Sequence, residues 1–451
     1  MCRGQPGGQI AWKRIPREGL RMHVSSRSRI ATTALTGFAV ALALLAATPS
    51  AGAQEESEGE EPLEEASFVD PTARTTMPEQ VELEERVYVG PFAELLGGRR
   101  SGIHIGPESN VQDNARVEAA VRRTVRERLA IARLGLNNRS GVETGERVIL
   151  AHGSSVRGPA LIGVGAAEEE DSGVFVSFGA QVDGAIIERD SGLSALSRVG
   201  PGVRLRSGLI VLPGKNVTTQ DEAEDPALGK VRPIVDADRA FNAGVVEVNV
   251  GLAREYTRLE REDPSAVLGI NVDPGGNVFD ANRDAPTVES ALCTGPAVRE
   301  PAFRNRIIGD VCFEDSLSTL DERLGDEISL RADEGGPFSV GTIDQMHDGV
   351  ILHAIEGADL SLGNGVSYGA GAIVHGGGRP AIDPTTGFAA PTVVGNDVTL
   401  GAGATVFRSL LRNGVVVGDR SAIVGSELEI GQVVPPRTIY ANDAAFGPVE
   451  W

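Results

Sequence analysis

Three of the six histidines in this chain, His152, His353 and His375, lie in short motifs whose residue types could hold a metal ion. The motifs belong to two imperfect copies of one pattern. The first copy reads Asn110-Val-Gln-Asp113, then Leu150-Ala-His-Gly-Ser-Ser-Val-Arg-Gly-Pro159. The second reads Arg331-Ala-Asp-Glu-Gly-Gly-Pro337, then Asp348-Gly-Val-Ile-Leu-His-Ala354, then Ile373-Val-His375. Neither copy has three histidines. Together they supply three imidazoles, and three neutral imidazoles with one open position are the donor set of a catalytic zinc site.

The elements that must position these residues are short and repetitive. The chain has 57 Gly and only 4% aromatic residues, which argues against a core of large side chains. From about residue 85 an aliphatic residue followed by Gly recurs, as at Ile105-Gly106, Ile162-Gly163, Val199-Gly200, Ile308-Gly309, Val340-Gly341, Leu362-Gly363, Val394-Gly395 and Val417-Gly418. This hexapeptide style of repeat predicts an all-β fold, a parallel β-helix in two tandem copies. Each short face turns one aliphatic inward, Gly relieves the corners, and stacked coils bury a narrow continuous core. Two stretches break the pattern with helical spacing: Val117 to about Leu136, and Val245–Glu262, a short helix that closes the first copy.

The expected organisation is an export signal over residues 1–53, an acidic disordered linker over 54–84, a first β-helix over 85–262, a linker over 263–299 and a second β-helix over 300–451. The signal reading rests on Arg27 and Arg29, the apolar run from Ala31 to Ala47, and Ala51-Gly-Ala53 as a cleavage site, with Met22 an alternative start. It implies a secreted or cell-envelope protein, extracellular or periplasmic, with no stable membrane insertion once the signal is removed. Residues 54–75 are too acidic and poor in apolar groups to order themselves. Cys293 and Cys312 lack zinc-cluster spacing; they are either a disulfide or two separate thiols. A net charge of −21 with three lysines excludes nucleic acid as a partner.

The strings RADEGGPFSVG, DGVILHAIEG and IVHGG resemble the γ-class carbonic anhydrases over most of residues 300–440. NVQD, AHGSSVRGPALIG and VVEVNVGLAREY resemble the same family more weakly over residues 85–260. The resemblance implies a left-handed β-helix, a trimer-like assembly by self-association, CO2 and bicarbonate as substrate and product, and a metal between subunits, zinc with iron or cobalt as alternatives. It makes His353 and His375 the ligand pair of one face and Glu334 the catalytic acidic residue, a carboxylate that carries the released proton away. Arg331 and Asp333 become an interface pair. His152 becomes the neighbour-donated ligand, Gln112 a residue that orients water, and Asn249 a second polar residue lining the site. Glu356 is a further candidate for carrying the proton away.

This sequence departs from the family in complementary ways. The second copy has Ala370 where the donated histidine belongs, and the first has Glu118 and Arg157 where the pair belongs. The expected site is therefore divided between unlike domains, with His347 an alternative third ligand. Identical chains arranged in a threefold ring do not bring unlike domains together, so the arrangement is left open at this stage. A non-catalytic β-helical scaffold is the second class of function. A hexapeptide acyltransferase is the third, disfavoured by the Arg-Ala-Asp-Glu-Gly and Leu-His-Ala motifs. No Ser nucleophile elbow, no GxGxxG after a clear strand and no P-loop lysine is present.

Overall fold

A computed structural model describes residues 62–451 apart from 138, 168–170, 263–266, 268–269, 273–303, 310, 316, 335–337, 356–359 and 378–390. The signal, Glu356 and Cys293 lie outside the described residues. Cys312 stands in strand Val311–Phe313, but its side chain is likewise outside them.

The chain forms two tandem left-handed β-helices built from strands of two to five residues. Each is a prism of three parallel sheets, of eight, seven and six strands in the first and nine, six and five in the second. Val, Ile, Leu and Ala from all three faces fill each interior, for example Val111, Leu150, Val176 and Leu193 in the first and Leu330, Leu352, Val374 and Val406 in the second. The last coil of each prism is closed by an antiparallel strand, Val231–Pro233 on Leu209–Val211 and Ala444–Pro448 on Thr438–Ala441. Such strands end the ladder and protect an edge that would otherwise invite further pairing.

The glycines of the repeat have a second purpose beyond turning corners. Gly106 and Gly145 carry no positive φ, yet a Cβ on Gly106 would lie 2.4 Å from the Gly145 carbonyl oxygen, and one on Gly145 would lie 2.1 Å from that of Gly163. They are glycine because successive coils touch backbone to backbone there.

Four expectations about boundaries are corrected. Strands begin at Phe68–Val69, which pairs with Tyr88–Val89, so residues 68–84, read as disordered linker, form the first coil. Glu79, Glu82 and Glu84 stay outside, while Phe68 and Asp70 are buried. Strand Ile270–Val272 lies within the stretch read as linker and pairs with Arg306–Ile308. Val117 is not helical; it belongs to strand Arg116–Glu118, and α1 (Val125–Ala132) starts only at Thr124, whose side chain and Glu127 form a reciprocal cap. A second helix, α2 (Gln220–Glu224), lies over the end of the first prism with Ala223 buried. The closing helix is long rather than short: α3 spans Asp236–Glu262. Its early start follows from Asp238, which accepts from the Val235 backbone N–H and pairs with Arg232.

The two prisms lie against each other through the eight-stranded and nine-stranded sheets. On these sheets the outward residues are also buried, so strands such as Val148–Leu150, Ile351–His353 and Ile373–His375 have no exposed position. Ile149, Phe175 and Phe178 of the first prism meet Ile351, Ile373, Ala422 and Ile439 of the second. Helix α3 lies along the seam with Val246, Asn249, Leu252, Ala253 and Tyr256 turned inward at helical spacing. Two groups of aromatic residues gather here, outside both prism interiors: Phe68 and Tyr256 stack at 4.9 Å, and Phe175, Phe178, Phe241 and Phe407 form the second, whereas Phe338 and Tyr368 fill the second prism's core. Glu450 accepts from Lys215, and Trp451 Nε1 donates to the Leu196 carbonyl, so the C-terminal residues latch onto the first prism.

Candidate metal centre

Parallel stacking brings equivalent residues of successive coils into register. Arg331, His353, His375 and Phe407 form one such column on the nine-stranded sheet, each paired directly with the next. The first prism presents the turn after Val148–Leu150, which carries His152, to the middle of this column. There His152 Nε2 lies 3.0 Å from His353 Nδ1. One nitrogen from each of His152, His353 and His375 falls within 4.8 Å of the others, and all three rings are buried.

Around the cluster the structure gathers most of the residues expected from sequence. Gln112, Asn249, Glu334, His353 and His375 line one cavity of about 480 Å³, walled by Phe175, Phe178, Phe241, Val245, Val248 and Ile355. Glu334 Oε1 lies 3.3 Å from His353 Nε2. Asn249 donates its amide to the Val245 carbonyl one turn earlier, which leaves its oxygen as an acceptor. His347 is not brought to the cluster: it is exposed at the end of strand Ile343–Met346, on a different sheet from His353, and is corrected as a ligand candidate. Glu118 and Arg157 pair in register on the seven-stranded sheet of the first prism, as His353 and His375 do in the second. There Arg157 and the buried Arg123 both pair with Asp183.

Beneath the histidines lies a buried ionic network that joins the prisms. The Arg331 guanidinium donates to Asp113 Oδ1 at 2.9 Å and to Asp333 Oδ2 at 2.8 Å, and its Nη2 is 3.5 Å from Glu334 Oε1. Ser329 Oγ donates to Asp113, and Tyr256 Oη on α3 donates to Asp333, each at 2.5 Å. A second buried pair, Arg306 with Asp70 at 3.0 Å, crosses the same seam. Burial opposes the charge on Arg331, but Asp113 and Asp333 hold it protonated well above its ordinary range. Burial also raises Tyr88 and Tyr256 well above the usual phenol value, so Tyr256 remains a donor. Asp113 and Tyr256 stood inside the motifs quoted from the sequence without being singled out. Ser329, Arg306 and Asp70 carried no signal that a single sequence shows.

The donor set fits a divalent metal ion. Burial, then the neighbouring His353 and Arg331, hold His152 well below the ordinary imidazole value; burial, then His353 and His152, do the same for His375. Both are therefore neutral lone-pair donors at neutral pH. His152 Nδ1 and His353 Nε2 are buried without a hydrogen-bond partner, a costly state for polar atoms unless a further group satisfies the cluster. Asp113, Asp333 and Glu334 outnumber the single guanidinium beside them, which favours added positive charge.

The lowered histidine values predict how the metal-free protein responds to acid. An unfolded chain protonates these rings near ~6.5 and the folded chain does not. Their contribution to stability is complete above that value and is lost as pH falls below it. Thermal unfolding of metal-free protein should show a larger drop in midpoint from pH 7.5 to 5.5 than a variant with His152 and His375 both replaced by leucine. Equal drops would show that the rings are not held neutral.

No family profile matches the chain. A carbonic anhydrase from Methanosarcina thermophila is 30% identical over 230 residues, covering 45% of this chain and 83% of that protein. The chain belongs to the γ-class carbonic anhydrase family. A second relative is the carboxysome assembly protein CcmM of a Nostoc strain, 28% identical over 170 residues, with 35% of this chain matching only 27% of that protein's length. Among solved structures, a hexapeptide transferase family protein from Anaplasma phagocytophilum is 16% identical over 42% of this chain and 91% of its own, with a TM-score of 0.21, a similarity too slight to bear on function. For a γ-class member this chain has an unusual layout: the three histidines meet inside one polypeptide, with His152 on one tandem copy and His353 and His375 on the other. That resolves how unlike domains come together, since no exchange between chains is required.

Proposed function

We propose that this chain is an exported carbonic anhydrase that hydrates CO2 to bicarbonate at a metal centre shared by its two β-helices. The observation that carries the reading is the buried triad of His152, His353 and His375, two of whose rings, His353 and His375, line a cavity with the carboxylates Glu334 and Glu247 and the carboxamides Gln112 and Asn249. Zinc is the metal that best suits three imidazoles, with iron or cobalt as alternatives. When bound, the dication would act as a Lewis acid that makes water nucleophilic near neutral pH.

The chain's own residues supply the rest. Phe175, Phe178, Phe241, Val245 and Ile355 give CO2, which has no hydrogen to donate and no charge, an apolar wall to rest on. Gln112 and Asn249 place polar groups where a water must be aimed at its carbon. Hydration releases one proton, and Glu334 Oε1 is the base beside the triad that takes it. Arg331 lies close to the same oxygen and keeps that carboxylate oriented.

The test is metal content and CO2 hydration on one preparation recovered from the medium or envelope, where export would leave Gln54 as the first residue. About one metal per chain, accelerated hydration, loss on chelation and recovery on adding metal back are expected. Metal-loaded protein that hydrates CO2 no faster than a His353→Ala variant would overturn the reading.

A further inference from the structure

Two charged residues lining the cavity have no part in the triad or in the ionic network beneath it, the exposed Glu247 and the partly buried Arg408. Arg408 follows Phe407, the residue paired in register with His375, and so stands one coil beyond the ligand column. Its guanidinium lies 4.8 Å from the centre of the Phe407 ring and 5.4 Å from that of Phe241, and Phe407 is in turn 5.4 Å from His375. Arg408 is thus a single ring away from the triad and lines the same cavity as His353, His375, Glu334 and Gln112.

No carboxylate among the described residues pairs with Arg408, and its Nε is buried with no hydrogen-bond partner. Burial alone acts on its pKa, downward, with no acidic neighbour opposing it. In a chain of net charge −21 such a group is out of keeping. Space has also been left for it. A Cβ on Gly377, which has φ +98°, would lie 3.0 Å from Arg408 Nε. The aromatic faces hold a guanidinium through cation–π contact without using up its N–H donors, which suit a planar carboxylate-like oxyanion.

We propose that Arg408 is the anion-holding residue of this cavity, receiving bicarbonate through its free N–H groups. Only the identity of the anion rests on the CO2-hydration reading; the geometry calls for a small planar oxyanion in either case. The apolar wall and the cation then divide the work: the wall accepts the uncharged gas, and Arg408 gives the charged product a place to move to as it leaves the triad.

The experiment measures binding of ¹³C-bicarbonate to the full mature chain by NMR, metal-loaded and metal-free, for wild type, Arg408→Lys and Arg408→Met. Methionine preserves the apolar stem on the rings and removes the charge, and thermal unfolding checks that each variant is folded. Loss of a charge-assisted hydrogen bond should weaken binding by about tenfold in Arg408→Met, with Arg408→Lys much closer to wild type. Undiminished binding in Arg408→Met, equal weakening in both variants, or no binding by wild type in either metal state would overturn the proposal. Arg408-dependent binding by a protein that hydrates no CO2 would sink the proposed function and leave this inference standing. CO2 hydration with bicarbonate affinity indifferent to Arg408→Met would do the reverse.

Discussion

His152→Ala is expected to abolish metal binding and CO2 hydration as completely as His353→Ala or His375→Ala, although His152 sits on the other β-helix. The two second-copy histidines are register neighbours and alone offer a dication only two donors. The third comes from a turn that reaches across the seam to within 3.0 Å of His353. Each ligand variant should lose more than the roughly 100-fold in affinity or activity that loss of an outer partner costs. His347→Ala, on an exposed residue away from the cluster, should leave both quantities at wild-type levels. Metal content by atomic spectroscopy and stopped-flow CO2 hydration on the same four variants decide the matter. Activity that survives His152→Ala would mean that the second β-helix holds its metal without the first.

This division was legible in the sequence because the two degenerate copies had lost opposite parts of one pattern. His152, His353, His375, Glu334, Gln112 and Asn249 all stood in motifs that could be read one residue at a time. The parallel β-helix was equally legible, since its repeat is local and each coil states its inward residue. What could not be read was the relation between the prisms. The seam is formed by residues such as Ile149, Phe175, Ile351 and Ile373, and in a lone β-helix their alternate positions would face water. Nothing local distinguishes an outward Ile covered by a second domain from one that is exposed. The disordered reading of residues 68–84 failed for a related reason. A coil of a β-helix needs only one inward residue per face, so an acidic stretch can still be ordered by the coil stacked on it. Arg408 was invisible because its significance lies in lacking a carboxylate partner among the described residues, which is a property of space and not of sequence.

The second large effect is expected from a residue that touches neither metal nor substrate. Arg331→Met should destabilise the protein by about 3–5 kcal/mol, the cost of leaving buried carboxylates without their cation. Asp113 comes from the first prism, Asp333 and Glu334 from the second, and the Arg331 guanidinium contacts all three at 2.8 to 3.5 Å. Removing it leaves like charges facing one another in a place from which water is excluded. Ser329 and Tyr256, one donor each, cannot neutralise them. The variant can be rescued if the penalty is electrostatic. Adding Asp113→Asn and Asp333→Asn to Arg331→Met should recover a large part of the loss in denaturant unfolding, a non-additivity typical of groups in one network. If the triple variant is instead less stable than Arg331→Met by the sum of the separate effects, the network contributes through packing and not through charge. Arg331 is paired in register with His353, and Asp113 Oδ1 lies 3.6 Å from His152 Nδ1. The same pair therefore stands behind a ligand on each side of the seam. Metal affinity should fall in Arg331→Met even under conditions where the chain remains folded, and it should return with the triple variant only as far as the two prisms regain their alignment.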